Sequence, residues 1–233
     1  MAEQKIHIIM PVKDSIETTE KAISAIVASG YTVRVYDDFS SAETAARLDA
    51  MHKEMGIEVI HLSEQIDSPS PNYRWVLQDA QRRALKDQAS LLIIESDVIV
   101  GKDTIKRMTQ AVEYEVGMVG AVTHDVEGQV NFPYLYAKNM TEDGECKKHL
   151  SFCCTLLTNR LLQAYDFEQL NPKKDWHDVD ISHMSRKLGF VNVLQVTNPV
   201  LHLPHSSRPW KQLKYTNPTS YYLAKMAIVF DWI

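Results

Sequence analysis

Glycine is scarce in this chain, with eight in 233 residues and the first only at Gly30. A backbone wrapped around a pyrophosphate at the first strand–helix turn needs glycine, so a GxGxxG dinucleotide fold and a P-loop are both excluded. Neither GxSxG nor HExxH occurs, which leaves a serine hydrolase and a zincin protease without support. Cysteine is limited to Cys146, Cys153 and Cys154. The odd count, the adjacency of two and the lack of CxxC argue against a disulfide framework or a zinc ribbon. A basic excess is missing too: 25 Lys+Arg stand against 30 Asp+Glu, a net charge of −5. That balance argues against a nucleic-acid surface. No apolar run approaches the ~18 residues of a membrane span; the nearest, Tyr221 to Ile233, is broken by Lys225 and Asp231. The polar start, Met1 to Lys5, has no signal-peptide pattern. A cytoplasmic protein is expected, at most peripheral at the inner membrane face.

What is present is an alternation of two periods. Ile6 to Met10 reads as a buried strand ended by Pro11, and Asp14 to Ser29 as a helix stopped by Gly30. Thr32 to Tyr36 is a second strand ending at Asp37-Asp38. Ser40 with Glu43 gives a capping-box pattern for a helix running to Met55 and ended by Gly56. Glu58 to His61 is a third strand, and a Ser/Pro-rich loop leads through Asn72 to a helix over Tyr73–Lys86. Leu91 to Ile94 is a fourth strand, closing on Glu95-Ser96-Asp97. Such alternation predicts an α/β fold with a mostly parallel central sheet flanked by helices. The second half is less regular: a helix over Asp103–Glu115, a strand over Gly117–Thr123, a polar loop over His124–Leu150, and a strand over Ser151–Leu157. Helices over Asn159–Tyr165 and Asp178–Leu188 follow, then short strands at Asn192–Val196 and Val200–Leu203. One domain over residues 1–233 is expected.

Ligands of parallel sheets sit beyond the carboxyl ends of the strands. Three strand ends therefore form one candidate rim: Pro11–Asp14, Asp37-Asp38 and Glu95-Ser96-Asp97. In an extended backbone residues i and i+2 point the same way, so Glu95 and Asp97 can face one ion. A hard cation, Mn²⁺ or Mg²⁺, takes one or two carboxylates and fills its remaining places with substrate phosphates. The plainer alternative is a polar strand exit with Asp97 capping a turn.

Taken in order, these segments resemble the family 2 glycosyltransferases of the GT-A fold, from about Ile6 to Ser206. "IIMPVKDS" is similar to the family's opening strand and loop, with Asp14 in place of Asn. "VYDDFS" resembles the "VDDgS" motif, and "IIESDV" the DxD strand with Glu95 for the first Asp. "DWHDVDISHMSRKLGF" resembles the "EDxDLxxRlxxxGy" stretch, with His177 where Glu is commoner, and "VLHLPHSS" the late "H…S" segment. The resemblance implies a single GT-A domain: a nucleotide-binding half (1–100), an acceptor-side half (101–210) and a C-terminal tail helix (211–233).

It also implies an inverting transfer from a nucleotide diphosphate sugar, a UDP-sugar favoured, to a saccharide or lipid-linked hydroxyl. Asp178 is the expected base, its alternative being a helix N-cap. Pro11, Val12, Asp14, Asp37, Asp38, Asn72, Glu95 and Ser96 are expected at the nucleotide, with Arg74 a weaker candidate. Asp97, Glu95 and His202 are expected at the metal, His205 competing with His202, and Trp176 and His177 at the acceptor. Asp180 either braces the site or caps the helix. Arg208 and Lys211 offer charge to the diphosphate, and Cys153 and Cys154 read as buried packing thiols. Two alternatives stay open: a catalytically inactive GT-A module that binds a nucleotide sugar or a partner, and a sugar-1-phosphate nucleotidylyltransferase. The latter normally carries a Gly/Arg-rich loop after the first strand, which "PVKDS" lacks.

Overall fold

The computed structural model describes residues 5–173 and 176–203. His205, Ser206, Arg208, Lys211 and the expected tail helix lie outside the described residues. The first strands are β1 (Ile6–Val12), β2 (Arg34–Asp37), β3 (Glu58–His61), β4 (Ser90–Ile94) and β5 (Val98–Ile99). They are followed by β6 (Val116–His124), β7 (Gly144–Glu145), β8 (Cys154–Leu157) and β9 (Val191–His202). The helices are α1 (Ile16–Ala28), α2 (Ala42–Met55), α3 (Tyr73–Lys86), α4 (Thr104–Gln110), α5 (Asn159–Ala164) and α6 (His177–Lys187).

The nine strands of the described residues join one sheet in the order β3-β2-β1-β4-β8-β6-β9-β5, with β7 paired to β9. Strands β1 to β4 are mutually parallel, as the strand–helix alternation predicts. Beyond them the sheet is mixed: β8 runs antiparallel to both β4 and β6, while β9 returns parallel to β6. The pleat sends alternate residues to opposite faces. Ile8, Met10 and Val12 of β1 join Val35, Ile23, Ile26 and Leu48 in one core. Ile9 joins Tyr36, Leu91, Ile93, Leu77, Ala80 and Leu161 in the other. Both faces are thus covered, which explains why these strands read as unbroken apolar runs.

Several boundaries differ from the sequence expectation. Pro11 does not end β1. The pairing of β1 with β4 stops at Ile9↔Ile93 while that with β2 continues through Pro11↔Tyr36 and Val12↔Asp37. Pro11 therefore falls where the strand has one neighbour and a missing N–H costs least. The cap of α2 is Ser41, whose side chain accepts from the Thr44 N–H at 3.3 Å, not Ser40. Ser40 instead accepts from the backbone N–H of Asp14 at 2.9 Å. The helix expected to reach Glu115 stops at Gln110. Beyond it Ala111 and Val112 pack on the core from a turn, and the Val116 N–H bonds to Glu113 O at 3.2 Å.

The two late strands are one continuous β9. Its register against β6 shifts between Ala121↔Gln195 and Thr123↔Val200, so the extra residues, Pro199 included, are accommodated in a bulge. Gly117 lets the end of α6 and the turn after it approach β6, because a Cβ there would crowd Ser185 Oγ of α6 and sit 2.7 Å from Phe190 Cβ beyond it. Among the described residues no helix is long and apolar enough to cross a membrane.

Candidate functional site

Parallel pairing of β1, β2 and β4 brings their carboxyl ends to one edge of the sheet, and every strand-end residue singled out above lies there. At the end of β2, Asp37 and Asp38 are both buried. Asp37 accepts the Ser40 N–H at 3.1 Å on Oδ1 and faces His61 Nδ1 at 2.7 Å on Oδ2. The other ring nitrogen of His61 lies 3.0 Å from Asp49 Oδ1. Burial alone would lower the His61 pKa, but hydrogen bonds to Asp49 and Asp37 raise it overall. Asp37, Asp49 and His61 line a cavity of about 330 Å³ with Phe39, Ser40 and Glu64.

Asp38 ties down the loop before α3. Its Oδ2 accepts from Ser70 Oγ at 2.7 Å and from the Asn72 N–H at 2.9 Å, and its Oδ1 from Asn72 Nδ2 at 2.7 Å. Asn72 also donates to Ser68 O at 3.0 Å. Asp14 couples the first two strand ends: its N–H bonds to Ser40 Oγ, and its Oδ1 accepts the Ser41 N–H at 2.8 Å. Asp14 and Ser15 hold φ of 54° and 59°, a left-handed bend that turns the chain from β1 into α1. Lys13 Nζ reaches across to Phe39 O. Arg74, by contrast, donates to Glu168 O at 3.1 Å.

At the end of β4 the backbone turns, with the Val98 N–H bonded to Glu95 O at 3.1 Å. Asp97 is 1% exposed, and its Oδ2 lies 3.4 Å from His202 Nε2. Pairing of β5 with β9, Val98↔His202, and the Leu203 N–H to Asp97 O bond at 2.9 Å bring these distant residues together. The other ring nitrogen of His202 meets the carbonyl of Phe132 at 2.9 Å. A carbonyl only accepts, so Nδ1 carries a proton and Nε2 is the atom presented to Asp97. Burial pulls the His202 pKa down, but Asp97, Glu95 and the Phe132 carbonyl raise it overall.

Glu95 faces the thiol of Cys153, with Sγ 3.3 Å from Oε2. Burial pushes the Cys153 pKa well up, and the Glu95 and Asp97 charges push the same way, so a neutral thiol donates to the carboxylate. One ligand atom from each of Glu95, Cys153 and His202 lies within 4.8 Å of the others.

Asp178 sits in the first turn of α6, half-buried, with Oδ1 accepting the adjacent Val179 N–H at 2.9 Å. The cap position belongs to Trp176, which sets aside the alternative of Asp178 as N-cap. His177 is 3% exposed and turned inward, its ring 6.2 Å from that of Tyr73. Tyr73 in turn meets Phe152 edge-on at 6.3 Å. This ring trio joins the starts of α3, β8 and α6, next to Asn72, Cys153 and Asp178 respectively. Trp176 is 36% exposed.

Two residues at the rim had no place among the expected site residues: His61, which was read only as part of a strand, and Cys153, which was read as a packing thiol. Neither has a motif, because each reaches the rim through a neighbour far away in the chain, Asp37 for His61 and Glu95 for Cys153. The only signal for His61 was its place at the end of β3, parallel to a strand ending in two aspartates.

No family model matches the sequence, and no curated protein matches it by sequence. The solved structures give the deciding observation. Staphylococcus aureus TarS (residues 1–349) superposes with a TM-score of 0.64 at 15% identity, covering 85% of this chain and 60% of that one. The mannosyltransferase PcManGT from Pyrobaculum calidifontis, in complex with GDP-Man and Mn²⁺, gives 0.61 at 14% identity over 97% of this chain and 65% of that one. The fold is that of the GT-A glycosyltransferases. GalNAc-T7, with UDP, GalNAc and Mn²⁺, shares the GT-A fold at a TM-score of 0.60 and 10% identity, over 88% of this chain and 45% of its own. The chain thus spans about two thirds or less of each of these GT-A structures.

Proposed function

We propose that the chain is an inverting, metal-assisted glycosyltransferase of the family 2 type, moving a sugar from a nucleotide diphosphate sugar to a hydroxyl acceptor. The observation that carries this reading is the meeting of Asp97 and of Glu95 with His202 at the sheet's carboxyl rim, on the edge where β2, two strands away, ends in Asp37 and Asp38, on a GT-A fold. UDP and GDP-sugar complexes among the fold's neighbours support a nucleotide-sugar donor.

Two carboxylates and one imidazole make a donor set that fits Mn²⁺ or Mg²⁺. The His202 tautomer fits as well, since Nδ1 is committed to Phe132 and Nε2 points to Asp97. Glu95, Asp97 and His202 would hold the cation, which when bound supplies Lewis-acid stabilisation of the departing diphosphate.

The chain's own groups do the rest. Asp37 and the Asp38–Asn72 pair are assigned to the nucleoside end together with the β1 exit, Pro11, Val12 and Asp14, and Ser96 to the nucleotide between Glu95 and Asp97. Asp178 takes the proton from the acceptor hydroxyl as the bond to the sugar forms on the face opposite the leaving group, for which one carboxylate suffices. Trp176 offers an exposed ring to the acceptor. His177, packed on Tyr73, fixes the start of α6 and hence Asp178.

A panel of nucleotide sugars, screened by thermal shift with and without Mn²⁺ and then for turnover, tests the reading. One donor is expected to raise the Tm only with metal, and Asp178→Asn to lower kcat roughly 10²–10⁴-fold with donor affinity little changed. Donor binding without turnover would favour the inactive module. No shift with any UDP- or GDP-sugar would overturn both.

A further inference from the structure

We infer that Cys153 is a ligand in the Glu95–His202 cluster, making it a site for a thiophilic divalent cation such as Zn²⁺. The antiparallel ladder of β4 and β8 pairs Ile94 with Cys154, and the Glu95 N–H to Cys153 O bond at 3.0 Å carries it one residue further. Glu95 and Cys153 are thereby held side by side by backbone, not by chance rotamers. Their contact, Sγ to Oε2 at 3.3 Å, already matches the roughly 3.3–3.8 Å that separates neighbouring ligands of one tetrahedral zinc.

His202 Nε2 is aimed into the same space from β9, and all three ligand atoms fall within 4.8 Å of one another. Thiolate, imidazole and carboxylate together suit Zn²⁺ better than a cation that prefers oxygen alone, and three ligands leave one position open. Ser151 Oγ, 3.3 Å from Sγ, steadies the sulfur from behind. Coordination breaks the Sγ–H bond, the proton leaving to solvent as H⁺, and the sulfur lone pair forms the bond to the metal. The other cysteines are engaged elsewhere: Cys146 Sγ lies 3.3 Å from Tyr136 Oη and Cys154 Sγ 3.6 Å from Met108 Sδ.

The inference shares Glu95 and His202 with the proposed donor site, so its test reads metal binding alone. The full chain is titrated with Co²⁺, a spectroscopic stand-in for Zn²⁺. A near-ultraviolet thiolate-to-cobalt charge-transfer band is expected, abolished by one equivalent of Zn²⁺. Cys153→Ser and Cys153→Ala should lose the band and weaken Zn²⁺ binding at least about tenfold, while Mn²⁺ affinity, read from the resonance of free Mn²⁺, changes far less. Cys146→Ser should keep the band. Absence of the band in the unaltered protein, or its persistence in a folded Cys153 variant, would overturn the assignment. Transfer without the band would sink this inference alone; the band without any donor binding would sink the transfer reading alone.

Discussion

The two carboxylate groups at the sheet's rim are held in different ways. At the end of β2, Asp37 and Asp38 each receive several short contacts, from 2.7 to 3.1 Å, and these contacts fasten loops: Ser40 before α2, Ser70 and Asn72 before α3. At the end of β4 the neighbours of Glu95 and Asp97 include a thiol at 3.3 Å and an imidazole at 3.4 Å, both of them groups that can ligate a cation. The first group is spent largely on the fold, so its value to a ligand is a fixed shape. The second is organised by backbone on either side, the β4–β8 ladder and the β5–β9 pair, which set a thiol and an imidazole against its carboxylates.

That contrast can be broken at either end. The largest effect is expected at Asp97. Asp97→Asn should weaken Mn²⁺-dependent nucleotide-diphosphate binding roughly 10–100-fold by calorimetry while leaving the Tm nearly unchanged. Equal affinity in both proteins, with and without EDTA, would erase the distinction between the two groups. Asp38→Ala should do the opposite. It removes the acceptor of the buried Asn72 N–H and one of the two acceptors of its side-chain amide, at a cost of roughly 1–3 kcal/mol readable by urea denaturation.

The smallest effect belongs to His61, and its sign follows from its raised pKa. A group whose folded pKa lies above its unfolded value adds stability below the unfolded pKa, about 6.5, and loses it as pH rises through the folded one. The charged groups facing it are Asp37 and Asp49, with Glu64 across the cavity. His61→Gln should therefore destabilise more at pH 5.5 than at pH 8.5. A loss independent of pH would mean that its packing matters and its charge does not.

Much of the parallel half was legible because each element there announces itself locally. The strand over Glu58–His61 and the helix over Tyr73–Lys86 are found where the periodicity places them. Asp37-Asp38 and Glu95–Asp97 were legible as a rim for the same reason, since strand–helix alternation alone puts strand ends on one edge. The other half resisted. Val98–Ile99 is too short to show a period, yet its pairing with β9 is what sets Asp97 against His202. Asn192–Val196 and Val200–Leu203 read as two strands, and only the bulge against β6 shows how one strand runs through Pro199 between them. Cys153 reads as packing because its neighbour Glu95 comes from another strand.

The β5–β9 pair has a kinetic consequence. Asp97 and His202 are joined by a two-residue ladder between segments far apart in the chain, and closing so long a loop for so few bonds is unfavourable until the sheet between them exists. That ladder is expected to form after the folding barrier. Loosening it, for example by Ile99→Gly at its half-exposed second position, should then speed unfolding while leaving the refolding limb of the chevron almost where it was. A nascent chain that has not yet made β9 carries both carboxylates but no imidazole to meet them, so the site is completed last.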